Sequence, residues 1–170
     1  LACGIGEIPF RFDGERVFIE VPLPRDVAPR PGTPGEGGLP PSTRAWLVGL
    51  PLRYLLVEVG APEAVAAAAP DMAALAAAPW EGTLVFARRG GAVKGRFFAP
   101  AVGVPEDPAT GSAAVALAGA LAFSGEPEGA VTIDQGDEVG RPSRIEAVWS
   151  GGVAAVGGAV RRDEMRVLAI

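Results

Sequence analysis

The sequence predicts an α+β domain in which a mixed sheet is rolled around one central, buried helix. Three observations predict it. Strand-like alternations outnumber helical segments along the 170 residues. Residues 111–123 are apolar on every face, so a helix there has no side to turn to water and must be buried all round. A proline- and glycine-rich stretch separates a short first piece of chain from a longer second one.

The elements follow in order. Gly6 to Val21 reads as a β-hairpin: Ile8, Phe10 and Phe12 alternate with polar residues, Asp13-Gly14 marks a tight turn, and Val17, Ile19 and Val21 alternate again. "PRDVAPRPGTPGEGGLPPS", from Pro24 to Ser42, excludes a regular helix or central strand and reads as a linker or long surface connection. Leu52 to Val59 reads as a buried strand, and Gly60 to Ala78 as an alanine-rich helical region. Pro70-Asp71 interrupts that region, with Asp71 capping the helix that restarts. Thr83 to Arg88 and Val93 to Phe98 read as strands around a Gly90-Gly91 turn. The apolar helix runs from about Gly111 to Phe123. Further strands are expected at Ala130 to Asp134, Arg144 to Trp149, Val153 to Val160 and Met165 to Ile170.

Composition narrows the function. A formal net charge of −5 disfavours a nucleic-acid-binding face, which needs clustered Lys and Arg; the pairs Arg88-Arg89 and Arg161-Arg162 are expected to be solvated. With one cysteine, Cys3, and no histidine, the chain cannot form an internal disulfide or a Ser-His-Asp triad, and a conventional zinc site is disfavoured. No secretory signal is expected, because the opening lacks a basic start and an apolar core. The longest apolar run, Ala113 to Phe123, is too short to span a bilayer. The expectation is a cytoplasmic protein with no membrane partner.

"GVPEDPATGSAAVALAGALAF", from Gly103 to Phe123, carries the chemistry. On helix-start rules, Asp107 is the N-cap and Pro108 the first helical residue. The functional alternative uses the same atoms. N–H groups at Thr110, Gly111 and Ser112 face outward with the positive end of the helix dipole and suit an anion. No Gly-Lys-Ser/Thr follows and no Gly-x-Ser-x-Gly surrounds Ser112, so a carboxylate is preferred to a phosphate. Both readings stay open at this level.

"RFFAPAVGVPEDPATGSAAVALAGAL", "QGDEVGRPSRIEA" and "VGGAV" together resemble the PhzF-like isomerase family of phenazine biosynthesis, which shares the diaminopimelate epimerase fold. "GIGEIPFRF" and "LRYLLVEVGAPEAV" are similar to its pattern as well. The resemblance implies two similar halves, each a sheet rolled around a helix, with the active site in the cleft between them. On that pattern residues 1–23 are a remnant of the first half, 24–43 the linker and 44–160 the second half. Residues 161–170 form a terminal strand that can return to the first half.

The resemblance also assigns roles. Asp107 corresponds to the acidic residue of the cleft, and Thr110, Gly111 and Ser112 to the helix start that holds the substrate. Arg141 and Ser143 belong to the Gly-Arg-Pro-Ser motif near the cleft, whose alternative reading is a plain turn between strands. The implied activity is proton transfer on a small carboxylic acid, without a cofactor, in a homodimer. The family's catalytic glutamate and the Gly-His motif after it find no counterpart among these residues, so the chain alone is expected to be inactive or very weak. Glu106 is expected to be a solvated neighbour and Cys3 a small buried or edge residue. A two-cysteine racemase is disfavoured, because residues 103–123 hold no cysteine. A non-catalytic acid-binding module and a structural dimerisation unit are the alternatives, with a phosphate binder a weaker one.

Overall fold

Alternation between Phe10 and Pro22 does build a hairpin, and its turn is where sequence placed it. The computed structural model describes residues 2, 3, 6–31 and 38–160, with side chains from residue 8 onward. Strands β1 (Ala2–Cys3) and β2 (Gly6–Glu7) form a small ribbon. The side chain of Cys3 lies outside the described residues, as do the expected strand at 165–170 and the Arg161-Arg162 pair. β3 (Phe10–Asp13) and β4 (Arg16–Pro22) pair antiparallel around Gly14, whose φ of +61° suits glycine.

The proline-rich stretch departs from the linker expectation. Asp26–Arg30 forms β5, paired with β6 (Arg44–Gly49) at one end of the sheet path. An edge position tolerates Pro29, which has no N–H to donate, so proline excluded a central strand without excluding a strand. β6 itself was not expected. β7 (Arg53–Glu58) follows, then the alanine-rich region as two short helices, α1 (Pro62–Ala66) and α2 (Met72–Ala76). Asp71 caps α2 as expected, accepting from the N–H groups of Ala73 and Ala74 at 2.9 and 3.1 Å.

β8 (Gly82–Arg89) and β9 (Ala92–Ala99) pair around the Gly90-Gly91 turn. β10 (Val104–Asp107), a short strand with no clear alternation, pairs with β9. Then come α3 (Gly111–Phe123), β11 (Gly129–Gln135), β12 (Ser143–Ser150) and β13 (Val153–Ala159). The sheet runs β3-β4-β13-β12-β11-β9-β8-β7-β6-β5.

α3 decides the shape of that sheet. It touches β11, β12 and β13 on one side and β5, β6 and β7 on the other. One helix can reach both arms only if the sheet curls around it, which is the predicted architecture. Residues 113–118, 120 and 121 are buried hydrophobics, packed with Trp46, Leu56, Phe86, Ile133 and Trp149. Gly119 matters here: a Cβ at that position would run into the Pro24 ring, so glycine lets the chain after β4 lie on the helix.

A second core lies on the outer face of β7, β8 and β9, where Leu55, Val57, Val85 and Phe98 meet Val65 of α1 and Leu75 of α2. β7 and β8 run parallel, joined through α1 and α2, and both faces are buried, as parallel strands require. The far end of α3 is fastened electrostatically. Arg88, expected to be solvated, instead forms a bidentate pair with Glu126 at 2.8 and 2.7 Å, while Trp149 Nε1 donates to the Glu126 carbonyl at 2.8 Å. That pairing raises the Arg88 pKa, against the effect of burial.

Candidate functional site

Asp107 ends β10 and α3 begins four residues later, so the Asp107-Pro108-Ala109-Thr110 loop is held at both ends. The loop corrects the capping expectation. The residue before the helix is Thr110, not Asp107, Pro108 lies outside the helix, and no side chain caps α3. The Asp107 carboxylate closes a local turn instead: Oδ1 accepts from Ala109 N–H at 3.2 Å and Oδ2 from the Thr110 hydroxyl at 2.9 Å. Thr110 thereby spends its hydroxyl on Asp107 rather than on its own helix. The first turn of α3 keeps its N–H groups without intrahelical acceptors, and Gly111 and Ser112 are exposed there.

Two residues that sequence reasoning missed complete this end of α3. Tyr54, on β7, shares a hydrogen bond with the Ser112 hydroxyl at 3.0 Å, and its ring packs edge-on against Phe97. Gln135, at the end of β11, donates through Nε2 to the Asp107 carbonyl and to Thr110 Oγ1. A signal existed for each. Gln135 takes the next inward-facing position after Val131 and Ile133, where an apolar residue belongs. Tyr54 is the chain's one tyrosine and shares the α3-facing side of β7 with Leu56.

Glu106, expected to be solvated, is not. Arg96 grips it bidentately, Nε to Oε1 at 2.9 Å and Nη2 to Oε2 at 2.8 Å, and both side chains are only 11% exposed. Arg96 Nη1 also donates to the carbonyls of Ala66 and Ala68. Hydrogen bonding to Glu106 raises the Arg96 pKa, opposed by burial and reinforced by the Glu106 charge. Glu106 is thus an anchor for β10, one residue from Asp107, and not a second acid of the site.

The Gly-Arg-Pro-Ser motif meets the Asp107 loop through backbone rather than side chains. Gly136, at φ +89°, sits so close to the carbonyls of Pro108 and Arg141 that any Cβ would collide with both. Arg141 N–H donates back to the Gly136 carbonyl at 2.9 Å, and the Ser143 hydroxyl donates to the Arg141 carbonyl at 3.1 Å. Residues 140–143 thus pass beside the Asp107-Pro108 loop, held by their own backbone bonds. The Arg141 residue is exposed.

Ser143 faces a different concavity. A groove of about 650 Å³ on the sheet's outer side is lined by Arg89, Lys94, Asp134, Asp137, Ser143 and Arg144, among others, but by none of Asp107, Thr110, Gly111 or Ser112. Its charges are largely spent on one another. Lys94 pairs with Asp137 and Glu138, and Arg144 with Asp134. Burial alone would lower the Lys94 pKa, but the hydrogen bonds it donates to Asp137 and Glu138 hold it above its ordinary value. The groove and the start of α3 are thus separate places on the fold, and Asp107, Thr110, Gly111 and Ser112 lie at the latter. Among the described residues, no three acidic or thiol side chains gather as a metal site, and no helix is long and apolar enough to cross a membrane.

Residues 49–162 match the family model described as phenazine biosynthesis-like protein, PhzC-PhzF. The chain belongs to this family. Among its relatives, an uncharacterised isomerase of Pseudomonas aeruginosa is 56% identical over 66 residues, covering 37% of this chain and 24% of the relative. A trans-2,3-dihydro-3-hydroxyanthranilate isomerase of the same organism is 43% identical over 97 residues, covering 56% and 35%. These matches span about a quarter to a third of the relatives' length. A PhzF-family structure from Enterococcus faecalis superposes with a TM-score of 0.74 at 22% identity, over 93% of this chain and 59% of the other. One from Bacillus anthracis gives 0.75 at 15%, over 92% and 62%. At such identities the likeness establishes the fold, a PhzF-type sheet rolled around a helix.

Proposed function

We propose that these residues form the substrate-holding part of a PhzF-like isomerase that moves a proton on a small carboxylic acid without a cofactor. The observation that carries this reading is the uncapped start of α3. Exposed N–H groups at Gly111 and Ser112, the Ser112 hydroxyl and the Asp107 carboxyl group are grouped at one end of a buried helix. A substrate carboxylate is stabilised there by the helix dipole and N–H donors, which also favour charge developing on the acid as the proton leaves. Asp107 hydrogen-bonds the substrate and assists the transfer. On the family resemblance, the group that moves the proton is the glutamate that finds no counterpart among these residues, and Glu106, committed to Arg96, does not replace it.

The names of the relatives motivate the substrate class: a cyclic amino acid bearing a carboxylate, like dihydrohydroxyanthranilate. Two assays test the proposal. Calorimetric titration with anthranilate is expected to show binding to the 170-residue chain that Ser112→Ala weakens. Incubation of the chain with trans-2,3-dihydro-3-hydroxyanthranilate is expected to show no isomerisation. Detectable turnover contradicts the division of labour, and no binding contradicts the site.

A further inference from the structure

The geometry points to Gln135 as the positioning residue that directs the Thr110 hydroxyl proton and thereby orients the Asp107 carboxylate. The inference rests on the reading of Asp107 as an acid of the site.

Proton counting carries it. The Thr110 hydroxyl has one proton to give and two lone pairs to receive with. Gln135 Nε2 has only protons to offer, and it lies 3.0 Å from Thr110 Oγ1. Oγ1 must accept there, so its own proton is sent to Asp107 Oδ2, 2.9 Å away. The amide cannot be turned round. Its Nε2 also meets the Asp107 backbone carbonyl, and a flip would set oxygen against oxygen. Gln135 thus grips residue 107 twice, directly at the backbone and through Thr110 at the carboxylate.

Burial makes the chain of bonds exclusive. Gln135 is 1% exposed and Thr110 7%, so water does not compete behind the carboxylate. Asp107 itself is half-buried. Its Oδ1 takes the Ala109 N–H and its Oδ2 the Thr110 proton. An ionised carboxylate has roughly four acceptor directions, which leaves others for a ligand. Gly136, next in the chain, is what lets the two loops come close enough for the bonds to form.

The test uses the 170-residue chain with ¹³C-carboxyl aspartate, the Asp107 resonance being identified by its loss in Asp107→Asn. Thr110→Val and Gln135→Leu are each expected to move that resonance in the same direction at neutral pH. The double variant is expected to move it by less than the sum of the two single shifts, and Thr110→Ser to leave it in place. Gln135→Met is read in parallel, so that a folding failure of one variant leaves the comparison intact. Anthranilate affinity is expected to fall about tenfold in Thr110→Val and in either Gln135 variant, the usual effect of losing one charged hydrogen bond. A merely structural Gln135 lowers the melting temperature only. An Asp107 resonance that stays put in folded Gln135 variants, or shifts that simply add, overturns the inference. Failure of the wild-type chain to bind anthranilate overturns the functional reading instead, and the resonance still decides Gln135.

Discussion

The hydroxyl groups of Tyr54 and Ser112 lie 3.0 Å apart, joining β7 to the first turn of α3 across 58 positions of sequence. Tyr54 is buried while Ser112 is exposed, so the bond anchors a rim hydroxyl to the core. Tyr54→Phe removes it without removing the ring. Because Ser112 can turn to water, the expected stability cost is at the low end of a hydrogen bond, about 0.5 kcal/mol. Anthranilate affinity is expected to fall several-fold as the Ser112 hydroxyl loses its fixed direction. Urea denaturation and calorimetry on the same variant check the two statements.

Arg96 and Glu106 form an enclosed pair, and breaking one side leaves the other charge buried. Arg96→Met is expected to destabilise the chain by about 3–5 kcal/mol, and Arg96→Met with Glu106→Met to recover most of that. Urea denaturation of the single and double variants measures the difference.

Gly136→Ala meets two obstacles, a positive φ and the carbonyls of Pro108 and Arg141. The expected cost is about 1–3 kcal/mol, with the Asp107 loop displaced. A lowered melting temperature together with weakened anthranilate binding is the expected result; a stability loss with unchanged binding contradicts the loop contact.

Much of this was legible in advance, and the exceptions have physical reasons. The apolar residues of α3 foretold a rolled sheet, because a helix without a polar stripe leaves no other solution. Asp71 and the Gly90-Gly91 turn depend on near neighbours and were read correctly. β5 was hidden because proline forbids a central strand, not an edge. Asp107 looked like a cap since Asp-Pro before an apolar helix satisfies the local rule, whereas Thr110 is the residue before the helix and its hydroxyl bonds Asp107 and Gln135. Glu106 looked solvated because its partner, ten residues back on β9, is adjacent only after β10 folds alongside. Gln135 and Tyr54 act through contacts 25 and 58 positions away, beyond any local pattern.

Glu126 gives the fold a pH dependence. Its hydrogen bonds from Arg88 hold the carboxyl below the ordinary glutamate range, opposed by burial and helped by the Arg88 and Arg44 charges. A depressed folded-state pKa contributes stability above the unfolded value and loses it as pH falls through the folded one. The window therefore opens near pH 4.3, the ordinary glutamate value, and extends downward. Melting temperature is expected to fall with acidification slightly more steeply in the wild type than in Glu126→Gln. The difference is small, because the Glu126 side chain is 39% exposed.

The most direct test of the central claim is an amide-resolved NMR titration of the chain with anthranilate. Binding at the start of α3 is expected to shift the N–H signals of Gly111 and Ser112 most, with Ala109 and Thr110 following, and to leave Lys94 and Arg144 still. Shifts confined to the outer groove around Lys94 and Arg144, or none at saturating acid, contradict it.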